Sequence, residues 1–259
     1  NARIVFNNWL SAPSTGNGSV TTCSGTIYDY QGPSANYENN SNGYMVINPS
    51  TVGGRVILSG TTSGEGCCDY LTIFNGVGTG GTQLWNGVAG SGTVPQTTST
   101  DASGALTVRF TSDGSVTGAG YALPISCCTP QGDQNSYGTN QWIGYVYDNS
   151  NFTQYNGYVT QSNDFDQTFG GDYVQYGTNG CDTYTETFSV RYKNRRAFAC
   201  GIYRFLLRGD DGHRLSLDGG ATWIINEWYG QGWGTDHYSG YVYLNGTYDM
   251  VLEYYEGGG

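Results

Sequence analysis

Short apolar or alternating runs, each closed within a few residues by Gly, Asn, Asp or Ser, recur along the whole chain. Runs at 45–47, 55–58, 71–74 and 106–110 are followed, beyond a polar break at 129–136, by runs at 142–147, 187–192, 203–207 and 214–217. Such runs with turn punctuation predict strands, not helices. The strongest local signal is Asn245-Gly246 between the alternating arms 241–244 and 247–254, which predicts a two-residue hairpin. Composition agrees. The 259 residues include 42 Gly and 23 Tyr, a strand-and-turn usage that excludes helical folds. The fold predicted is all-β, with two antiparallel β-sandwich domains in tandem.

Charge narrows the partners. Lys and Arg total 10 against 21 Asp and Glu, for a net charge of −11, and Lys193 is the sole lysine. Nucleic-acid binding by phosphate neutralisation is excluded, and an anionic membrane surface is disfavoured. No apolar run approaches half a membrane span, so no direct insertion is expected. A basic n-region with an apolar h-region is missing from the start, so the chain reads as a mature or excised segment.

The seven cysteines (23, 67, 68, 127, 128, 181 and 200) show no CxxC spacing, and only His213 and His237 accompany them. Structural disulfides in an exported protein are expected, not a zinc site. Cys181 and Cys200 flank a predicted hairpin and are expected to pair. Cys23 and the Cys127-Cys128 doublet are the next candidates. Cys67 and Cys68 are expected to reach outward, because neighbours on a strand point to opposite faces, and one thiol is left over. With no GxSxG elbow, HExxH, P-loop or dinucleotide-binding glycines, and few general bases, the chain is read as not an enzyme.

Four blocks occur in order in the first half. They are Cys23-Ser24-Gly25-Thr26-Ile27-Tyr28-Asp29, Tyr37-Glu38-Asn39-Asn40, Asp69-Tyr70-Leu71-Thr72-Ile73-Phe74-Asn75-Gly76, and Phe110-Thr111-Ser112-Asp113-Gly114-Ser115 running into Gly120-Tyr121-Ala122-Leu123. Over 20–128 the chain resembles a CUB domain. The resemblance implies an extracellular β-sandwich that holds calcium through Asp69 and Asp113, with Ser115 nearby. The family's third acid falls here on Thr61, and Glu65 or Glu38 is the expected substitute. Two carboxylates alone would bind this hard cation weakly.

The second half carries Thr187-Phe188-Ser189-Val190-Arg191-Tyr192, Gly201-Ile202-Tyr203-Arg204-Phe205 and Asp210-Asp211-Gly212-His213-Arg214-Leu215-Ser216-Leu217-Asp218-Gly219. Trp228 follows, and the pattern ends at Glu253-Tyr254-Tyr255-Glu256. Over 137–259 it resembles a protective-antigen-type (PA-fourteen) β-sandwich. Lectin-like members hold calcium on the acid pair that matches Asp210 and Asp211, and the ion binds adjacent sugar hydroxyls. Trp228, Trp233, Gln231 and Asp236 are the expected ligand-binding residues, and cell-surface glycans the expected ligand. One calcium per domain is the cofactor expected.

A sandwich of that family ends with one further strand, which the second half lacks. The opening Ala2-Arg3-Ile4-Val5-Phe6 alternates as a half-buried strand does. Residues 1–10 are therefore read as the strand that completes such a sandwich in a preceding repeat or a neighbouring subunit, with 11–19 and 129–136 as linkers. Covalent tandem repeats and strand-donating neighbours both fit. The function expected is a structural and adhesive repeat of a long filament or giant adhesin on a bacterial cell surface. The alternative is a calcium-dependent lectin module.

Overall fold

The computed structural model describes residues 9–171 and 173–258. The chain divides into two compact units, 1–129 and 130–259. Nearly all of their regular secondary structure is strand, so the all-β expectation holds.

Unit 1 is a sandwich of two five-stranded sheets. One sheet orders Leu10–Ser11, Thr26–Tyr28, Gly120–Cys128, Arg55–Ser63 and Gly92–Thr98. The other orders Thr15–Thr21, Asn42–Asn48, Leu106–Thr111, Tyr70–Asn75 and Gln83–Val88. Alternating residues of both sheets face one core, in which Ile27, Leu58, Leu123, Ile47, Ile73 and Leu106 are fully buried. Pairing is not wholly antiparallel: Leu10–Ser11 runs parallel to Thr26–Tyr28, and Thr15–Thr21 runs parallel to Asn42–Asn48.

Those parallel pairs revise the proposed linker 11–19. Ala12 is buried in the core, and Thr15–Thr21 is an edge strand in full register with its neighbour. The glycines and serines of 11–19 hide a strand, because a solvated edge needs little apolar content. Of the predicted strand 1–10, residues 1–8 lie outside the described residues. Leu10 pairs with Ile27 of its own unit.

Unit 2 has one large sheet that includes Tyr155–Gln161, Trp142–Tyr147, Phe188–Tyr203, Val242–Glu256, His213–Ser216 and Ile225–Glu227 in that order. Two small ribbons stand apart from it: Gln175–Tyr176 with Thr183–Tyr184, and Leu206–Leu207 with His237–Tyr238. The core gathers Trp142, Val146, Phe188, Val190, Leu215 and Met250. The segment read as a linker, 129–136, packs on this unit. Tyr145 Oη lies 3.1 Å from Asp133 Oδ1, and Lys193 Nζ donates to the Gln134 carbonyl at 2.9 Å. Its polarity serves that network and does not mark a free tether.

The hairpin expected at Asn245-Gly246 is absent. Val242–Glu256 is one strand of 15 residues, paired along its length with the 16-residue strand Phe188–Tyr203. The dipeptide sits opposite a register shift between Phe198 and Gly201, and Gly246 has φ 103°. Positive φ is thus used for a bulge, because both arms find a longer partner than each other.

Cysteine pairing also departs from expectation. Cys23 bonds Cys127, and Cys67 bonds its neighbour Cys68. The latter two lie among bends, not on a strand, so adjacent side chains are free to turn toward each other. Cys181 and Cys200 do not pair: Cys181 is buried and disulfide-bonded, the half-buried Cys128 is also disulfide-bonded, and Cys200 is an exposed free thiol. The continuous strand from Phe188 carries Cys200 about 40 Å along its axis, beyond reach of a local bridge. The disulfides place the chain in an oxidising, extracytoplasmic environment. Among the described residues no helix is long and apolar enough to cross a membrane.

Candidate metal centres and their surroundings

Each unit gathers three carboxylates from distant parts of its sequence. In unit 1, Glu65, Asp69 and Asp113 bring ligand atoms within 4.8 Å of one another. Asp69 immediately precedes Tyr70–Asn75 and is fully buried, and Asp113 follows Leu106–Thr111, the strand paired with it. Pairing of Tyr70 with Thr111 therefore brings both acids to one end of the sheet. Asp69 Oδ2 accepts from Tyr37 Oη, and Asp69 Oδ1 accepts the Asp113 N–H at 2.9 Å. The Ser115 N–H donates to Asp113 Oδ1 at 2.8 Å, which puts Ser115 beside the cluster.

Glu65 supplies the acid that Thr61 does not. Its N–H donates to Tyr37 Oη at 3.0 Å, and its Oε2 is buried with no hydrogen-bond partner. Glu38, the other substitute considered, is occupied elsewhere and accepts from Gln31 Nε2 at 2.7 Å. Burial, followed by the charges of Asp113 and Asp69, raises the Glu65 pKa above the ordinary carboxylate value. Burial and the bond to Asp69 push Tyr37 up to about 12.

In unit 2, Asp210, Asp211 and Glu256 form the corresponding cluster. Asp210 and Asp211 lie just before His213–Ser216, which pairs with the C-terminal part of Val242–Glu256 in the register His213 to Tyr254. That register, with Tyr255 N–H bonded to the Gly212 carbonyl at 2.9 Å, sets Glu256 beside the aspartates. Gly212 is required there, because a Cβ would sit 2.0 Å from Tyr255 Cε1. Asp211 accepts the Gln231 N–H at 3.0 Å on Oδ1 and the Gly257 N–H at 2.8 Å on Oδ2. Asp210 Oδ2 accepts the Trp233 N–H at 3.0 Å. Glu256 is raised in pKa by burial, with Asp211 and Asp210 adding to the effect.

Both clusters contrast with Glu253 in the same sheet. That buried carboxylate takes Arg191 Nε at 2.5 Å and Arg214 Nε at 2.7 Å. Among the described residues, no Lys, Arg or His side chain forms an ion pair with either cluster. Three converging carboxylates without a cation suit a hard, oxygen-seeking divalent ion, and the unpartnered Glu65 Oε2 fits a ligand atom.

The predicted ligand-binding residues separate. Gln231 and Trp233 touch the unit 2 cluster through their backbone N–H groups, and Trp233 is 59% exposed. Trp228 instead sits within protein aromatics: Arg214 lies 4.3 Å over its ring, and Phe152 stacks at 5.8 Å. Asp236 is held by Arg208 through Oδ1. Trp228 is half-buried among these neighbours, whereas Asp236 is exposed beside Arg208. Glu65 entered the sequence reading only as a substitute for Thr61, and Glu256 only as the end of a motif. Only the strand register brings Glu256 to residues some 45 positions earlier, and no spacing in the sequence encodes that.

No family model and no curated protein matches the chain. Among solved structures it is similar to an anti-sigma factor domain-containing protein, with a TM-score of 0.36 and 16% identity over 86% of this chain and 77% of that one. It is also similar to the CUB1-EGF-CUB2 domains of rat MASP-1, with a TM-score of 0.33 and 11% identity over 94% and 96%. A third is the full extracellular region of zebrafish Gpr126/Adgrg6, at a TM-score of 0.35 and 11% identity. The chain covers 93% of its own length but 34% of that region.

Proposed function

We propose that this chain is a structural and adhesive repeat of an extracellular bacterial surface fibre or giant adhesin, made of a CUB-like unit and a protective-antigen-type unit. The observation that carries this reading is the pair of carboxylate clusters, one per unit, each gathered at the end of a sheet. Calcium at such sites would tie together loops that otherwise repel, as suits a load-bearing extracellular module. Glu65, Asp69 and Asp113 would hold one ion, and Asp210, Asp211 and Glu256 the other. The chain acts as a binding and scaffold protein, not as an enzyme.

Denaturing electrophoresis of reduced native material tests the fibre. A band of several hundred kDa is expected of a covalent array, and a band near 27.9 kDa refutes it. A second reading, a calcium-dependent lectin, is favoured by one feature: Trp233, an exposed residue, is tied to the acid cluster by its backbone N–H, which donates to Asp210 Oδ2. An aromatic face beside a metal suits a sugar ring that offers hydroxyls to the ion. A glycan array run with calcium and with chelator decides it, and no binding in either condition removes the lectin.

A further inference from the structure

Unit 2 has an unfinished second layer. A cleft of about 760 Å³ lies over its large sheet, floored by Trp142, Phe188, Tyr192, Leu215 and Leu252. One wall is the segment 163–171 and the other is 205–210. Along 163–170 burial alternates residue by residue, with Phe165, Gln167 and Phe169 inward and Asp164, Asp166 and Thr168 outward. That is the pattern of a half-buried strand. Yet among the described residues 164–170 joins no ladder and makes no backbone–backbone hydrogen bond. The opposite wall alternates in the same way, and Leu206–Leu207 is paired on one side only, with His237–Tyr238. Two strand edges therefore face a cleft with an apolar floor and charged walls, and among the described residues no strand lies between them.

We propose that residues Ala2 to Phe6 of a second copy of this chain insert into the cleft and complete the layer. This rests on the repeat-unit reading above and names its joint. In an extended strand the alternation of the sequence would put Ala2, Ile4 and Phe6 on one apolar face, toward the floor, and Arg3 on the other, toward Asp166 and Asp164, the latter already 3.6 Å from Arg196. An edge pairing of this kind takes affinity from main-chain hydrogen bonds and specificity from alternate side chains. The donor also leaves its own unit at a fixed place. Trp9 packs against Gly32, where a Cβ would meet its indole nitrogen at 2.2 Å, and Leu10 pairs with Ile27. The eight residues before Trp9 reach about 27 Å when extended. In the acceptor, Glu256 lines the same cleft.

The test uses the full 259-residue chain carrying I4D and F6D, which spoils the donor and leaves the cleft intact. A fluorescent peptide of residues 1–9 is titrated into it and followed by anisotropy. Saturable binding is expected, weakened about tenfold or more when the peptide itself carries I4D and F6D, or when the chain carries D164K and D166K. No binding, or equal binding of both peptides, overturns the proposal. The comparison of the two peptides uses one and the same acceptor, so misfolding does not confuse it.

Sedimentation of the unaltered chain supplies the second arm. Oligomers that grow with concentration and vanish in the I4D/F6D chain are expected. A monomer at all concentrations, with the I4D/F6D chain still taking the peptide, means that each chain fills its own cleft and overturns donation between copies. A failed peptide titration beside a native band of several hundred kDa refutes this joint and leaves the repeat unit standing. A native band near 27.9 kDa beside a positive titration does the reverse for the covalent array.

Discussion

Single carboxylates report the state of this protein most directly. Glu253 is buried and neutralised by two arginines, whereas Glu65 is half-buried, with its Oε2 atom enclosed, beside two further acids. Replacing Asp69 by Asn is expected to abolish any rise in melting temperature on adding calcium to unit 1, read by calorimetry with and without chelator. Calcium at about a hundredfold excess over its Kd stabilises a single site by about 2.7 kcal/mol, so the loss is measurable. Asp29 gives a separate pH signature. Burial raises it from 3.8 to about 6, and its Oδ2 has no partner. A raised carboxylate contributes stability below its unfolded value and loses it as pH rises through the folded one. Urea midpoints should therefore fall between pH 3.8 and about 6 in the native chain. They should fall less in Asp29→Asn, and equal slopes would count against the assignment.

At the scale of elements, two bonds and one glycine make separable predictions. Cys23–Cys127 closes a separation of 104 residues, so its removal should cost about 2–5 kcal/mol in urea unfolding of unit 1. Cys67–Cys68 closes almost no loop, and C67S/C68S should cost far less. Gly212→Ala forces a Cβ into the Tyr255 ring, and overpacking of this sort costs about 1–3 kcal/mol. It should also weaken calcium binding in unit 2, since Gly212 adjoins Asp211. Strand periods were readable in the sequence because alternation and turn residues are local. The Asn245-Gly246 hairpin was misread because a bulge in a long strand uses the same positive-φ residue. Thr15–Thr21 was missed because an edge strand of Gly, Asn, Ser and Thr carries no apolar signature. Asp69 with Asp113, and Asp210 with Asp211, were legible from motifs; Glu256 was not, since the His213 to Tyr254 register that places it is a long-range pairing.

Over the whole molecule, a net charge of −11 with almost no lysine keeps chains soluble and mutually repellent at low ionic strength. Divalent ions bound at both clusters would lower that charge, so light scattering of the full chain should rise with calcium and fall again on chelation. The same charge is spread over two units whose boundary lies near the polar break visible in the sequence. The antiparallel pair of Phe188–Tyr203 and Val242–Glu256 is the longest in either unit, at 16 and 15 residues. A pull along that axis loads its rungs together in shear, so they resist as a group and do not unzip singly. Mechanical toughness is thus expected of the very strand that ends beside Asp210 and Asp211.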